Sequence, residues 1–404
     1  MDNLLDFSAR WQDDDQRSMN SMMEITKFAI PEIIFGRGSI NRAGQCALRH
    51  GAKKVFLVSD SGIEKAGWVQ RLMDILEAEG IDWIYYPRVT PNPRDFEVEQ
   101  GAEFYLKNGA DVIMAIGGGS AMDTAKGIAI IASNGGVIRD YEGANRVQRP
   151  LPPMIFLSTT AGSGSDISQF CIITDVKRAV KMSIITRSQV PNIAIIDPLI
   201  LRTKSKKQII LSAIDALAHA IEAYLSRIAS PFTMPQSLKA IDLILRNLTH
   251  AVQTGSLDSL EKLSIASINA SMAFSNAGLG AEHALAHSLG GQFDMSHGVV
   301  HPILLTTVMR YNLESSLSRM ADIGRVVLDR KLGSERETAL KGIEKLEEFF
   351  ASFDVSLKLS DIVDDSEKQH LEALCKMAVN DACNLTNPRP ATWQDLLAIC
   401  EEVW

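Results

Sequence analysis

From Lys27 onward the chain alternates short apolar runs with longer stretches in which apolar residues recur every three or four positions. Val55-Phe-Leu-Val-Ser-Asp60, Trp83 to Val89, Val112-Ile-Met-Ala-Ile-Gly117, Pro153 to Ser158 and Asn192 to Pro198 are compact, apolar and bounded by turn residues, and predict strands. Gly67 to Glu79 and Phe96 to Lys107 carry helical spacing between them. Strands alternating with helices argue for a mostly parallel sheet covered by helices. Beyond residue 200 almost every segment is helical in spacing, as in Ile209 to Leu225, Leu238 to Leu248 and Leu260 to Ala273. The predicted organisation is an α/β domain over residues 23–200 and an all-helical domain over residues 201–404. A polar, loosely ordered extension over residues 1–22, with Asp13-Asp14-Asp15, precedes them.

Composition changes this picture little and narrows the partners. The 404 residues are 46% apolar and 22% charged, an ordinary globular balance. A formal net charge of -8 argues against general affinity for nucleic acid or an anionic membrane, and Lys204-Ser-Lys-Lys207 is too short to reverse it. Five cysteines without a Cys-x-x-Cys pair suggest neither a zinc ribbon nor a disulfide framework, which fits a reducing compartment. No apolar run resembles a secretory signal or approaches a membrane span, and a cytoplasmic location is expected.

Two stretches carry candidate chemistry. The first is Gly117-Gly-Gly-Ser-Ala-Met-Asp-Thr-Ala-Lys126, between a buried strand and a helix. Successive glycines let backbone amides approach an anion, and the helix start points its positive end at the same place, so a pyrophosphate fits. The alternative is a tight turn without a ligand. Asp60 ends a strand and can reach an adenine ribose, favouring NAD over NADP by repelling a 2'-phosphate, or else simply opens the next helix. Ser158-Thr-Thr-Ala-Gly-Ser-Gly-Ser-Asp166 is a small polar loop able to wrap a ligand.

The second stretch runs from Ile214 to His301 and holds six of the eight histidines. Residues four apart share a helix face, so Asp215 with His219 and His283 with His287 form two claws, and His297 returns from the loop behind the second. Three imidazoles and one carboxylate, with positions left open, suit a divalent first-row metal. Spacing alone does not say which of the histidines would be the ligands.

These residues resemble the iron-containing, or group III, alcohol dehydrogenase family. The Asp-Ala-Leu-x-His-Ala-x-Glu helix, the Ser-Asn-x-Gly-Leu-Gly-x-x-His-x-x-x-His stretch and the His-Gly fourteen residues after its first histidine stand here in order, and the glycine run matches the family's cofactor motif in full. The resemblance extends from Phe28 to Thr392. It implies a Rossmann-like NAD-binding domain and a helical metal-binding domain, with Asp215, His219, His283 and His297 as ligands of Fe2+ (Zn2+, Mn2+ or Ni2+ being acceptable to the same donors) and His287 as a proton carrier. It further implies that Asp60, Asn92 of Pro91-Asn-Pro93, Gly117, Gly118, Gly119, Ser120, Asp123, Thr159, Thr160, Ser163 and Lys181 contact the cofactor, although Lys181 also reads as a solvated strand lysine. The implied reaction is reversible hydride transfer between a primary alcohol or small diol and NAD, giving an aldehyde, in a homo-oligomer. A zinc-dependent polyol dehydrogenase of the glycerol type, or a catalytically idle regulatory homologue, are the competing readings. Ser158, Ser163 and Asp166 depart conservatively from the pattern, and Ser296 stands where proline is common. His301, replacing an asparagine four residues after His297, reads as an extra polar group at the pocket or, the favoured reading, as a plain helix-start histidine, and Glu282 is expected to point away from the metal.

Overall fold

The computed structural model describes residues 27–404. The extension over residues 1–22 lies outside them. Six parallel strands form the main sheet: β1 Glu32–Phe35, β2 Lys54–Val58, β3 Asp82–Tyr86, β4 Val112–Gly117, β6 Met154–Ser158 and β9 Ile193–Ile196, in the order β1-β9-β6-β4-β2-β3. β4, Val-Ile-Met-Ala-Ile-Gly, is buried at every position, as a central parallel strand covered on both faces must be. The edge strand β3 is only partly buried, which is why its sequence mixes Asp82, Trp83 and Tyr85 among apolar residues. Helices α1 Ala43–Arg49, α2 Ser61–Lys65, α3 Trp68–Ala78, α4 Asp95–Asn108 and α5 Gly119–Asn134 follow the first strands. A second sheet was not foreseen from the sequence: β7 Phe170–Asp175 pairs antiparallel with β8 Val180–Ile185, and the two-residue β5 Gly143–Ala144 adds to β8. It lies beside α5 and brings Lys181 inward.

After the short α6 Pro198–Leu201 the chain is helical: α7 Lys206–Leu225, α8 Met234–Thr254, α9 Leu257–Ala277, α10 Ala281–Gln292, α11 His301–Asn312, α12 Leu317–Leu328, α13 Glu335–Ala351, α14 Leu371–Ala378 and α15 Trp393–Glu402. α7 is the centre of this half. Its start is defined by a capping box, Ser205 Oγ accepting from Gln208 N–H at 3.2 Å while Gln208 Oε1 accepts from Ser205 N–H at 3.0 Å. From Ala213 to Leu225 every residue is buried, against α8 and α9 on two sides. The helix corrects one expectation: its 20 residues, with mean hydropathy 1.3, are long and apolar enough to cross a membrane, yet 83% of that window is packed inside the protein. Ala-rich sequence there serves close helix packing.

The two halves meet where the loop after β6 crosses α7 and α9. A Cβ on Gly162 would collide with the Ser212 carbonyl of α7, and Gly164, at φ +66°, sits against Ser271 and Phe274 of α9. Only glycine permits this approach. Replacing Gly162 with alanine forces backbone apart rather than a flexible side chain. Gly162→Ala is therefore expected to destabilise the protein by about 1–3 kcal/mol. Thermal unfolding measured by calorimetry reads this as a lowered Tm; an unchanged Tm would mean that the loop and α7 are not in register as described.

Candidate functional site

The carboxyl ends of β2, β4 and β6 lie side by side, and three segments emerge there: Asp60, the run Gly117 to Gly119, and Ser158 to Ser165. α5 starts at this edge with Gly118 as its uncapped N-terminal residue, so its first N–H groups have no side-chain acceptor. A Cβ on Gly118 would come within 3.3 Å of the Thr160 side chain, and one on Gly119 within 3.1 Å of Ser163. The hydroxyls of Thr159, Thr160 and Ser163 are buried without a hydrogen-bond partner. Buried polar groups are normally satisfied. An uncapped sixteen-residue helix surrounded by orphan hydroxyls is what a phosphate-bearing ligand would complete. Lys126, at the end of the glycine motif, is structural. Its buried ammonium donates to the carbonyls of Ser168 and Phe170, at 2.8 and 2.7 Å, and so ties α5 to β7.

A cavity of about 680 Å³ runs from this edge to the helical half. Of the residues singled out from the sequence, Asn92, Gly119, Ser120, Asp123, Ser163 and Lys181 line it from one side, and Asp215, His219, His283, His287 and His297 from the other. Asp60, Gly117, Gly118, Thr159 and Thr160 lie outside this lining, at the strand ends next to it. Asp60 does open the next helix, its Oδ1 accepting from the N–H groups of Gly62 and Ile63 at 2.8 and 3.1 Å. Asp123 accepts from Ile172 N–H through Oδ2 and keeps Oδ1 without a partner; burial raises its pKa to about 6. Asn92, at φ 55°, receives the Lys181 ammonium on its Oδ1 at 2.8 Å and donates from its amide to Asp294 at 2.9 Å, bridging the two halves. Lys181 is not a solvated strand lysine. It is buried, and that burial lowers its pKa to about 8.

At the far end of the cavity, Asp215 Oδ1 is the focus of four imidazoles. His301 Nε2 lies 3.1 Å from it, His219 Nε2 3.6 Å and His283 Nε2 3.8 Å. Donor atoms of Asp215, His283, His297 and His301 all fall within 4.8 Å of one another. Donors about 2.1 Å from a common ion stand about 3.0 Å apart at right angles and about 3.4 Å apart in a tetrahedron, so these separations suit one ion. Asp215 Oδ1, His283 Nε2 and His301 Nε2 are buried without hydrogen-bond partners. His219 is held face-on between Phe274 and His283, with ring centroids 4.2 and 4.5 Å away.

A second layer of carboxylates lies behind the rings. Glu222 Oε2 is 2.6 Å from His283 Nδ1, Glu282 Oε1 is 2.8 Å from His301 Nδ1, and Asp381 Oδ2 is 2.9 Å from His287 Nδ1. Each fixes a tautomer and turns the opposite nitrogen forward. Asp215, Glu222 and Glu282 are all buried, and among the described residues none forms an ion pair with a lysine or arginine. Their charge shows in the titration of the histidines. Burial opposes the charged form of His301, but Glu282 and Asp215 raise its pKa to about 9; His219, where burial dominates, is pushed down to about 3. Burial likewise opposes ionisation of Asp215, yet the histidines, His219 foremost, hold its carboxyl well below the usual range. No lysine or arginine among the described residues offsets this buried negative charge, and the donor set fits a divalent cation.

Two expectations are corrected here. His301 is not a bland helix-start residue but is fully buried within the cluster, and Glu282 turns its carboxylate onto the outer nitrogens of the cluster instead of leaving it. Glu222 and Asp381 received no role from sequence reasoning. Glu222 had a signal, three residues after His219 and seven after Asp215 on one helix face. Asp381 had none, being 94 residues from His287. Glu222→Gln keeps the volume and removes the charge behind His283. It is expected to weaken divalent-metal affinity by about 10–100-fold, read by competitive titration against a chromogenic chelator; equal affinity would place Glu222 outside the site.

Comparison with known proteins covers most of the described chain. Residues 31–198 match the family model for iron-containing alcohol dehydrogenase, and residues 209–404 the model for the C-terminal part of that family. The NAD-dependent methanol dehydrogenase of Bacillus methanolicus is 34% identical over 378 residues, covering 93% of this chain and 99% of that one. The 1,3-propanediol dehydrogenase of Citrobacter freundii is 35% identical over 382 residues, covering 93% and 98%. The solved structure of an alcohol dehydrogenase from Oenococcus oeni superposes with a TM-score of 0.90 at 33% identity, covering 94% of this chain and 100% of that one.

Proposed function

The chain belongs to the iron-containing alcohol dehydrogenase family and is an oxidoreductase acting on CH–OH groups, and from that footing we propose which residues do the work and on what. The observation that carries the reading is that Asp215 and the four imidazoles converge at one end of the same cavity whose other end is the uncapped start of α5. We assign Asp215, His219, His283 and His297 to a divalent metal, Fe2+ by family, and Asp60, Asn92, Gly117, Gly118, Gly119, Ser120, Asp123, Thr159, Thr160, Ser163 and Lys181 to NAD. When bound, the ion supplies Lewis acidity to an alcohol oxygen and the dinucleotide supplies the hydride acceptor.

The protein's own residues set the rest. His287 lines the cavity, and its Nδ1 faces Asp381, which leaves Nε2 to take up or return the hydroxyl proton. Burial works against the charge of Asp381, but His287 holds its carboxyl below the ordinary value, so it stays an acceptor for that ring. Phe170, Phe274 and Leu279 give the cavity an apolar wall beside the imidazoles, which suits a short aliphatic chain. Relatives named for methanol and 1,3-propanediol support a primary alcohol or small diol as substrate, with an aldehyde as product. Asp60 at the strand end supports NAD in preference to NADP. We further propose domains divided near residue 200, a homo-oligomeric assembly and a cytoplasmic location, the last supported by five free cysteines.

The test is metal content alongside NAD reduction over a panel of short alcohols and diols. Protein purified without oxygen is expected to hold about one ion per chain, and Asp215→Ala to lose both ion and turnover. His287→Ala should keep the ion while kcat falls by about 10²–10⁴-fold. Full turnover in Asp215→Ala would contradict the assignment, and an unaffected kcat in His287→Ala would remove that residue from proton transfer.

A further inference from the structure

His301 and Glu282 both depart from the family pattern, and the structure places them in contact. His301 opens α11, is fully buried, and presents Nδ1 to Glu282 Oε1 at 2.8 Å. Its Nε2 faces Asp215 Oδ1 at 3.1 Å and has no hydrogen-bond partner. With Glu282 against Nδ1, Nε2 is the nitrogen left to face the cluster, and donor atoms of His301, Asp215, His283 and His297 all lie within 4.8 Å of one another, close enough to share one ion. His283 is built the same way, with its Nδ1 against Glu222 at 2.6 Å and its unpartnered Nε2 turned to the same oxygen. His301 packs against both neighbours in the cluster, with ring centroids 4.9 Å from His283 and 4.6 Å from His297.

We propose that His301 is a fifth protein donor to the metal, through Nε2, with Glu282 as the carboxylate that orients it. This rests on the metal reading of the site given above. Asp215 and four imidazoles exceed a tetrahedron, so the site selects ions that accept five or six ligands, such as Fe2+, Co2+ or Ni2+, over Zn2+, and leaves one position for a substrate oxygen. The inward turn of Glu282 has a purpose on this reading. A second buried carboxylate beside Glu222 would be costly by itself, and it is tolerated because it faces an N–H whose ring binds a dication.

The experiment uses the full chain, stripped by chelation and reloaded with Co2+, in the wild type, in His301→Asn and in Glu282→Gln/His301→Asn. The double variant removes the carboxylate that the single substitution would strand, and so guards against loss of fold. Wild-type protein is expected to show the weak visible bands of five- or six-coordinate cobalt, with X-ray absorption counting four imidazoles. In the variants the bands intensify, the imidazole count falls to three, and preference for Co2+ over Zn2+ drops by about 10–100-fold. The same spectrum, imidazole count and metal preference in wild type and variants would overturn the proposal and make His301 an imidazolium that positions Asp215 from outside. Failure of the wild type to take up Co2+, Fe2+ or Zn2+ at all would overturn the metal reading itself.

Discussion

The structure depends on one electrostatic constraint: three carboxylates, Asp215, Glu222 and Glu282, are buried together with histidines as their near partners. Ionised carboxylates in such a place require compensating charge on the spot. The imidazoles around Asp215 are a partial answer, two of them, His283 and His301, with carboxylates on their outer nitrogens and their inner nitrogens turned to one oxygen, and a dication completes it. Helix packing around this point follows. α7 must be Ala-rich to let neighbours approach, α10 must begin immediately after Gly280 so that Glu282 and His283 face inward, and α11 must start at His301, with Pro302 accepted in its first turn.

The second half of the chemistry comes from the opposite side of the cleft by a different physical route. There the binding feature is backbone: the uncapped start of α5, a glycine run, and hydroxyls without partners. It attracts negative charge where the helical half attracts positive charge. Both are held at a common cavity by the Gly162–Gly164 crossing over α7 and α9 and by Asn92, which links Lys181 to Asp294. Ligand sites at the carboxyl ends of parallel strands and between domains are the general expectation, and both conditions hold here.

Much of this was legible in the chain. Strands such as Val112 to Gly117 are buried on both faces and therefore read as unbroken apolar runs, and helical spacing marked α7 to α9 plainly. The claws Asp215/His219 and His283/His287 were visible because a helix converts a spacing of four into a shared face. What could not be read depended on long-range placement. Asp381 reaches His287 across 94 residues through a loop with no periodicity, and the burial of Lys181, which alone also reads as a solvated strand lysine, depends on the pairing of β7 with β8 in a second sheet. His301 and Glu282 were misjudged for the same reason. Each alone resembles a surface residue at a helix start, and only their meeting, 19 positions apart across the turn from α10 to α11, shows that both face the cluster.

The central claim is that these donors share one ion, and anomalous diffraction tests it most directly. In crystals of iron-loaded protein measured at the iron edge, a single strong peak is predicted among Asp215 Oδ1 and the imidazole nitrogens of His219, His283 and His297, about 2.0–2.3 Å from each. A peak elsewhere in the chain, or ordered water at the cluster with no anomalous signal, would contradict it.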